Sequence, residues 1–247
     1  MSFEQGAAGR KIRPGLAVML VAVLVTACAA GDEAEKGNFS SDPETARIER
    51  IVHDYIVDHA EVLDEAVQRR TDKATAKLID PSRKAIETPF GSAWAGNRNG
   101  DVVLVEFFDY ACTYCRASNA DVDRLLAEDK NLKVVWREFP VLGVNSHEAA
   151  RASLAAAKQG HFAPFFKQLY AAGSPSPETI AKVQAAAGVT PLTSAEFDQE
   201  IDKNNELARS LRATGTPLFI AGDRIMHGAV GYQALKDAIA AARRKKT

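Results

Sequence analysis

The sequence predicts an α/β fold, and the clearest sign of it is a strand, a helix and a second strand in succession. Residues 101–109 and 132–139 contain two continuous apolar runs, as is typical of strands buried on both faces of a sheet. Between them, residues 113–129 carry apolar side chains at helical spacing. We expect the two strands to be parallel, because a helical crossover returns the chain to the same end of the sheet.

A helical insertion and a closing hairpin complete the predicted domain. The insertion spans residues 143–212, where four helical segments are expected at residues 147–159, 162–172, 178–187 and 194–211. Residues 218–222 and 224–227 predict a short hairpin, and residues 232–244 predict a last helix whose basic end suits its dipole. This order of elements is that of a thioredoxin fold with an inserted helical subdomain, which we assign to residues 88–247.

Composition and charge indicate an ordinary globular protein. The 247 residues are 46% apolar and 26% charged, and the formal net charge is −1. This length suffices for one domain of typical size and an appendage. A nearly neutral chain offers no strong field to nucleic acid, so we expect no such partner.

The N-terminus resembles an export signal, which we assign to residues 1–27. Three basic residues precede an apolar core of only 12 residues, 16–27, whereas a membrane span needs about 20. Val25-Thr26-Ala27-Cys28 resembles the lipobox of bacterial lipoproteins, which implies lipidation of Cys28 and a membrane anchor. The alternative is ordinary signal-peptidase cleavage, which would leave a soluble protein. In both cases the mature chain works in an oxidising compartment, the periplasm.

Residues 42–80 predict a helical arm, which a flexible polar tether at residues 28–41 precedes. Pro43 and Glu44 mark the start of a helix, and a second capping pattern at residues 58–61 predicts that this helix breaks and restarts. A segment of this length cannot make a core of its own. Its apolar stripe must therefore dock on the main domain or on a second copy of the chain, and we favour an oligomerisation arm.

Cys112 and Cys115 form a C-x-x-C motif where the first predicted strand gives way to its helix. One helical turn brings the second sulfur within bonding reach of the first, and the helix N-terminus favours the thiolate of Cys112. An inert disulfide and half of a zinc site are the alternatives. A zinc site needs about four ligands, but the sequence has only one further cysteine, Cys28. The five histidines show no ligand spacing; they are His53, His59, His147, His161 and His227.

Several motifs together resemble the DsbA-like thiol-disulfide oxidoreductases: the C-x-x-C after a Glu-Phe-Phe-Asp-Tyr strand, the helical insertion and residues 215–220, GTPLFI. More narrowly, they are similar to the periplasmic group that includes the suppressor-of-copper-sensitivity C proteins and the Com1-type outer-membrane antigens. The arm of that group has a Y-hydrophobic-x-x-H/N-P-E-V-L pattern, which residues 55–63 follow with Ala60 in place of proline. The resemblance covers residues 46–240.

The resemblance implies a role for each matching residue. Cys112 is the attacking thiolate and Cys115 the resolving thiol. Thr216-Pro217 is the loop whose proline is cis in the family and whose threonine backbone pairs with an extended substrate; a trans proline that opens a strand is the alternative. Glu106 matches the buried acid of the family. A carboxylate on a buried strand should have a raised pKa and could accept the proton of Cys115, unless it is a partly solvated strand-end glutamate.

We therefore expect an exported thiol-disulfide oxidoreductase that acts on exported cysteine-containing proteins and exchanges electrons with a membrane redox partner, without a cofactor. Thr113-Tyr114 replaces the Pro-His dipeptide of the strong oxidases, so we expect a less oxidising couple that serves isomerase or reductase work. A dithiol oxidase is one alternative. Another, from a non-catalytic class, is a lipoprotein that sequesters copper, because soft thiolates suit Cu(I).

Overall fold

The computed structural model describes residues 39–246. The predicted signal peptide, Cys28 and most of the tether lie outside the described residues. The chain divides into two compact units, one that ends at Asp58 and one that begins at His59. Among the described residues, no helix is both long enough and apolar enough to cross a membrane.

The first unit contains helix α1, Pro43–Asp58. The side chain of Asp42 accepts the N–H of Thr45 at 2.8 Å, which satisfies one of the free donors at the start of the helix. Five large apolar side chains of α1 are exposed by about half or more; these are Ile48, Ile51, Val52, Tyr55 and Val57. The apolar stripe read from the sequence is therefore exposed on this helix.

The second unit opens with helix α2, Glu61–Ile79, so the predicted break near residues 58–61 is confirmed. A 3₁₀ turn at Asp80–Ser82 and a short helix α3, Arg83–Glu87, follow. Pro81 lacks a backbone N–H and therefore ends the longer helix.

A five-stranded sheet forms the centre of the second unit. Its strands are β1 (Trp94–Gly96), β2 (Val102–Phe108), β3 (Leu132–Glu138), β4 (Leu218–Ala221) and β5 (Arg224–His227), in the spatial order β1-β3-β2-β4-β5. The central pair β2 and β3 is parallel, as predicted, and the other pairs are antiparallel. Strand β1 was not predicted, because three residues are too few for a periodic pattern.

Six further helices of the described part of the chain surround the sheet. They are α4 (Thr113–Glu128), α5 (Val144–Lys158), α6 (Phe162–Ala172), α7 (Pro177–Ala186), α8 (Ala195–Ser210) and α9 (Gly231–Lys246). Helix α4 is the crossover between β2 and β3, and α5 to α8 are the predicted insertion.

The sheet is buried on both faces. One face presents Leu104, Phe108 and Trp136 to a core that includes Phe165 of α6 and Leu235 of α9. The opposite face packs on a second core; its members include Val105, Phe107, Val135, Ile86 and Leu207. Because nearly all positions of the two parallel strands are buried, both strands are mostly apolar in sequence.

The second half of α2 docks on the β4–β5 hairpin of the same chain. The hydroxyl of Thr75 donates to the carbonyl of Asp223, and Arg224 pairs with Asp72 at 3.2 Å. Arg83 extends this contact, since its guanidinium pairs with the Asp223 carboxylate at 2.7 Å. This part of the predicted arm is therefore fixed in cis.

Candidate redox site

Cys112 is the N-cap residue of α4, so its sulfur lies at the positive end of a 16-residue helix. Its Sγ accepts the backbone N–H of Cys115 at 3.2 Å. The residue is 4% exposed, while the neighbouring Tyr114 is 67% exposed. Cys112 is therefore nearly buried beside an exposed aromatic side chain.

Cys115 lies one helical turn further and is fully buried. Both cysteines are free thiols in this structure. Burial raises the pKa of Cys115, and the charge of Glu106 and the hydrogen bond with Cys112 raise it further. Cys115 therefore keeps its proton unless a base removes it.

Thr216 and Pro217 lie beside the dithiol, and the peptide bond between them is cis, as the sequence analysis predicted. The Sγ of Cys112 is 3.4 Å from the carbonyl oxygen of Thr216. Strand β4 pairs with its neighbours only from Leu218 onward, so the Thr216 backbone lies outside the sheet ladders. This loop therefore places backbone groups that no strand pairs beside the Cys112 sulfur.

Glu106 is completely buried in the middle of β2, which excludes a partly solvated strand-end residue. The indole N–H of Trp136 donates to its Oε2 at 3.0 Å, and its Oε1 has no partner among the described residues. Burial raises the pKa of Glu106 from 4.5 to about 8, although the Trp136 hydrogen bond lowers it. A carboxylate with such a pKa is suited to exchange a proton with a thiol.

This buried acid should make the stability of the protein depend on pH. The folded state keeps the Glu106 proton up to about pH 8, whereas the unfolded state releases it near 4.5. The folded state therefore binds more protons in this window, and the free energy of unfolding should fall as pH rises, by at most about 1.4 kcal/mol per pH unit. Urea unfolding between about pH 5 and pH 8 should show this extra slope in the wild type but not in Glu106→Gln. Equal slopes in the two proteins would contradict the assignment.

Asp109 holds the loop that carries the dithiol. Its Oδ1 accepts the N–H of Ala111 at 2.8 Å, and its Oδ2 accepts the N–H groups of Val141 and Leu142, both at 2.9 Å. Tyr170 of α6 donates to the Asp109 carbonyl at 3.0 Å. The loop before α4, the segment after β3 and the insertion are thereby tied together at one residue, through its side chain and its carbonyl.

The structure brings five of the predicted site residues together around the start of α4: Glu106, Cys112, Cys115, Thr216 and Pro217. The sixth, Cys28, lies outside the described residues. Sequence reasoning did not single out Trp136 or Asp109. The signal for Trp136 was its position on β3 opposite Glu106, which becomes readable only once the strand register is known.

The arrangement can exchange thiols for disulfides. It holds one sulfur at a helix N-terminus, where a thiolate is favoured, and a second sulfur one turn away. The charge of a buried carboxyl group raises the pKa of the second thiol. Within residues 39–246, no group of three or more His, Cys, Asp or Glu side chains is arranged to hold a metal ion.

Comparison with known families gives one match that covers more than half of the chain. The model described as "DSBA-like thioredoxin domain" matches residues 103–240. This range includes the dithiol, the insertion and the cis-proline loop.

Solved structures share the fold. A thioredoxin-like oxidoreductase from Silicibacter pomeroyi is 36% identical with a TM-score of 0.57, and the match covers 61% of this chain and 91% of that one. A periplasmic thioredoxin-like protein from Salmonella enterica serovar Typhimurium is 26% identical with a TM-score of 0.62, covering 66% and 95%. The catalytic domain of ScsC from Proteus mirabilis, at 23% identity and a TM-score of 0.64, covers 68% and 98% and is similar in fold.

Curated relatives of the sequence include much longer proteins. The Na⁺/H⁺ antiporter NhaA 1 of Salinispora arenicola is 28% identical over 184 residues, which are 66% of this chain but 25% of the antiporter. The chain thus spans about a quarter of the length of that relative.

Proposed function

The chain belongs to the family of DsbA-like thioredoxin domains, and we propose that it is a thiol-disulfide oxidoreductase acting on exported proteins in the periplasm. One observation carries the proposal: the Cys112 sulfur lies at the N-terminus of α4, 3.4 Å from the Thr216 carbonyl and beside a buried thiol and acid. The predicted export signal and the periplasmic Salmonella structure of similar fold support the location.

The reaction begins at Cys112. Its thiolate attacks one sulfur of a client disulfide, that bond breaks, and the released client sulfur takes up a proton from water. A mixed disulfide between Cys112 and the client remains. A client segment held against the Thr216 backbone as an extra strand would present its cysteine to Cys112 in a fixed orientation.

Cys115 resolves the mixed disulfide. The Glu106 carboxylate accepts the proton of Cys115, and the resulting thiolate attacks the Cys112 sulfur. The bond to the client breaks, the second client thiolate leaves, and a Cys112–Cys115 disulfide forms. Two electrons have then moved from the protein to the client, and a membrane redox partner would return them.

The couple is expected to serve isomerase or reductase work rather than strong oxidation. Only one backbone N–H donates to Cys112 Sγ among the described residues, that of Cys115. The dipeptide Thr113-Tyr114 adds no histidine that could stabilise the thiolate. A thiolate that is stabilised less makes the disulfide form less oxidising.

The reduction potential of the Cys112–Cys115 couple distinguishes isomerase or reductase work from strong oxidation. Equilibration of the Cys112–Cys115 couple with glutathione buffers should give about −180 to −230 mV, the range of isomerases and glutaredoxins. A value near −120 mV would instead indicate an oxidase that donates disulfides. A value below about −300 mV would indicate a structural disulfide and contradict the enzymatic function.

We also propose that α1 joins copies of the chain, because its apolar residues are exposed while the second half of α2 is docked in cis. Light scattering on protein that starts after Cys28 should show an oligomer. Val52→Asp should reduce the mass per particle, whereas Glu44→Ala at the start of the same helix should not. Equal masses for the wild type and Val52→Asp would contradict this role.

Lipidation of Cys28 remains the proposed anchor. The full chain should fractionate with membranes and carry the mass of a lipid group on Cys28. The same measurement on Cys28→Ala should find the protein in the soluble fraction. A soluble wild type would support ordinary signal-peptidase cleavage instead.

A further inference from the structure

Three apolar side chains in the segment after β3 are exposed to solvent. Val141 is 46% exposed, Leu142 55% and Val144 76%. Tyr114, within the C-x-x-C motif itself, is 67% exposed. Twelve large apolar side chains are exposed among the described residues; seven belong to residues 42–80, and four of the other five are the residues just named. Outside the arm, exposed apolar surface is therefore concentrated in the dithiol motif and in the segment after β3.

One buried carboxylate, that of Asp109, holds this segment beside the dithiol loop. Its Oδ1 accepts the N–H of Ala111, and its Oδ2 accepts the N–H groups of Val141 and Leu142. Its backbone carbonyl accepts the N–H of Cys112 at 3.0 Å. The backbone at Cys112 and the backbone at Val141 are thus joined through a single residue. The exposed apolar side chains therefore belong to a segment that is fixed next to the attacking cysteine.

The segment between β3 and α5 is also constrained along its own length. The N–H of Phe139 donates to the Phe108 carbonyl at 2.8 Å, which continues the pairing of β2 with β3 by one residue. Pro140 has a fixed φ because of its ring. Gly143 has a φ of 117°, which residues with a side chain rarely adopt. A surface whose backbone is already ordered loses little conformational entropy when a partner binds to it.

The three segments that these contacts bring to the dithiol contain no charged side chain. They are residues 110–115 (YACTYC), 139–146 (FPVLGVNS) and 213–221 (ATGTPLFIA), although 26% of the whole chain is charged. A partner that binds to these segments therefore gains no ion pair from them. Its contact with the segment after β3 depends on the burial of apolar area.

The position of the segment indicates what binds there. A client that exchanges its disulfide with Cys112 brings the residues beside its own cysteine to the same place. In a folded protein most large apolar residues are buried, whereas an unfolded or wrongly folded chain exposes them. The surface therefore fits an extended client segment that has apolar residues next to its cysteine.

We propose that Val141, Leu142 and Val144 form a client-contact surface, which binds the apolar residues beside the cysteine of a non-native client, and that Asp109 is the positioning residue that holds this surface at Cys112. The surface contributes binding and orientation only, and the redox step stays at the two sulfurs. The proposal rests on the proposed function, because it assigns the substrate class of that same dithiol.

Two matched peptides test the client-contact surface. Each has one cysteine in a mixed disulfide with glutathione, flanked by leucines in one peptide and by serines in the other, and the rate at which each oxidises the reduced protein is measured. The leucine peptide should react about fivefold faster with the wild type, as expected when roughly one CH₂ group is buried. Leu142→Ser and Val144→Ser should each reduce this ratio. Both replaced side chains are exposed, so these variants should fold normally and react with glutathione disulfide at the wild-type rate.

Asp109→Asn tests the positioning role. The asparagine carbonyl oxygen can keep the local turn to the Ala111 N–H, which asparagine forms as aspartate does. Its NH₂ group cannot accept the N–H groups of Val141 and Leu142, so the link to the segment after β3 is lost. The leucine peptide should therefore lose its advantage over the serine peptide, while the rate with glutathione disulfide should stay close to that of the wild type.

Asp129→Asn is the matched control, because Asp129 accepts the N–H of Asn131, also two residues further on, at the opposite end of α4. This variant should keep the wild-type ratio. A ratio that persists in Leu142→Ser and Val144→Ser would show that clients do not bind the client-contact surface. In Asp109→Asn, an unchanged ratio, or equal slowing with all three disulfides, would overturn the positioning role.

The wild type separates a failure of this proposal from a failure of the proposed function. If it reacts with glutathione disulfide but equally fast with the two peptides, the client-contact surface fails while the oxidoreductase function stands. If none of the three disulfides oxidises Cys112 and Cys115, the proposed function itself fails. The mass per particle of Leu142→Ser should equal that of the wild type. A lower mass would assign the surface to contact with a second copy of the chain and overturn the proposal.

Discussion

Replacement of Cys112 by serine is expected to lower thiol-disulfide exchange to background, a loss of about a thousandfold or more. Serine keeps the N-cap hydrogen bond to the N–H of residue 115 but cannot form a disulfide. Cys115 cannot substitute for the lost sulfur, since it is fully buried and its pKa is raised. Turnover of a cysteine-containing peptide disulfide measures the loss.

Cys115→Ser should separate the attack on the client disulfide from the resolution of the mixed disulfide. Cys112 should still attack, so the protein should accumulate as a mixed disulfide with the client, visible by mass spectrometry. Alkylation of the reduced proteins should be fast at Cys112 in Cys115→Ser and slow at Cys115 in Cys112→Ser. Comparable alkylation of the two thiols, or turnover by Cys112→Ser, would show that the roles have been assigned wrongly.

The parts of the fold that local patterns encode were predicted well. The run at residues 101–109 became β2, and the cysteine at its end caps α4, because capping and burial depend on neighbours within a few residues. The parallel pairing with β3 followed from the handed crossover through one helix. The cis bond before Pro217 was predicted from the resemblance to the family. The cis and trans forms of a bond before proline differ little in free energy, so the neighbouring residues alone do not determine which one forms.

The contacts that complete the site are long-range and could not be read from the sequence. Trp136 donates to Glu106 across 30 residues, and Tyr110 meets Ser153 across 43. Each contact depends on strand register or helix packing, which a single sequence does not specify. Glu138 shows the same limit, because an acid at the end of an apolar strand reads as a solvated residue until its face is known.

The burial of Arg137 could not be predicted from the sequence either. It lies between Trp136 and Glu138 on β3, so its side chain enters the opposite face of the sheet, where it is 1% exposed. Its Nη1 contacts Glu200 Oε1 at 3.1 Å and Asn204 Oδ1 at 2.6 Å, both on α8. Its other donors bind backbone carbonyls of the segment around α3: Ala85, Ile86 at 2.8 Å and Thr88 at 2.5 Å.

Arg137→Ala should therefore destabilise the protein strongly. The substitution removes the buried partner of Glu200, which keeps its salt bridge to the half-exposed Lys203 at 3.0 Å, and leaves three carbonyls without a donor. Breaking one side of a buried pair costs about 3–5 kcal/mol. At about 2–4 °C per kcal/mol for a protein of this size, Tm should fall by on the order of 10 °C. Arg137→Lys should recover only part of the loss, because an ammonium group cannot reach the same acceptors as the guanidinium fork.

Arg151→Ala provides the matched control, since Arg151 also pairs with α8, through Asp198 at 2.7 Å, but both side chains are more than a third exposed. An exposed pair is worth about 0–1 kcal/mol, so its loss should lower Tm by only a few degrees. If the two alanine variants unfold at the same temperature, Arg137 is not the link between β3, α3 and α8. Because Arg137 lies on the face away from the dithiol, the folded fraction of Arg137→Ala should retain the wild-type rate of exchange. A lowered rate in that fraction would show that the two faces of the sheet are coupled.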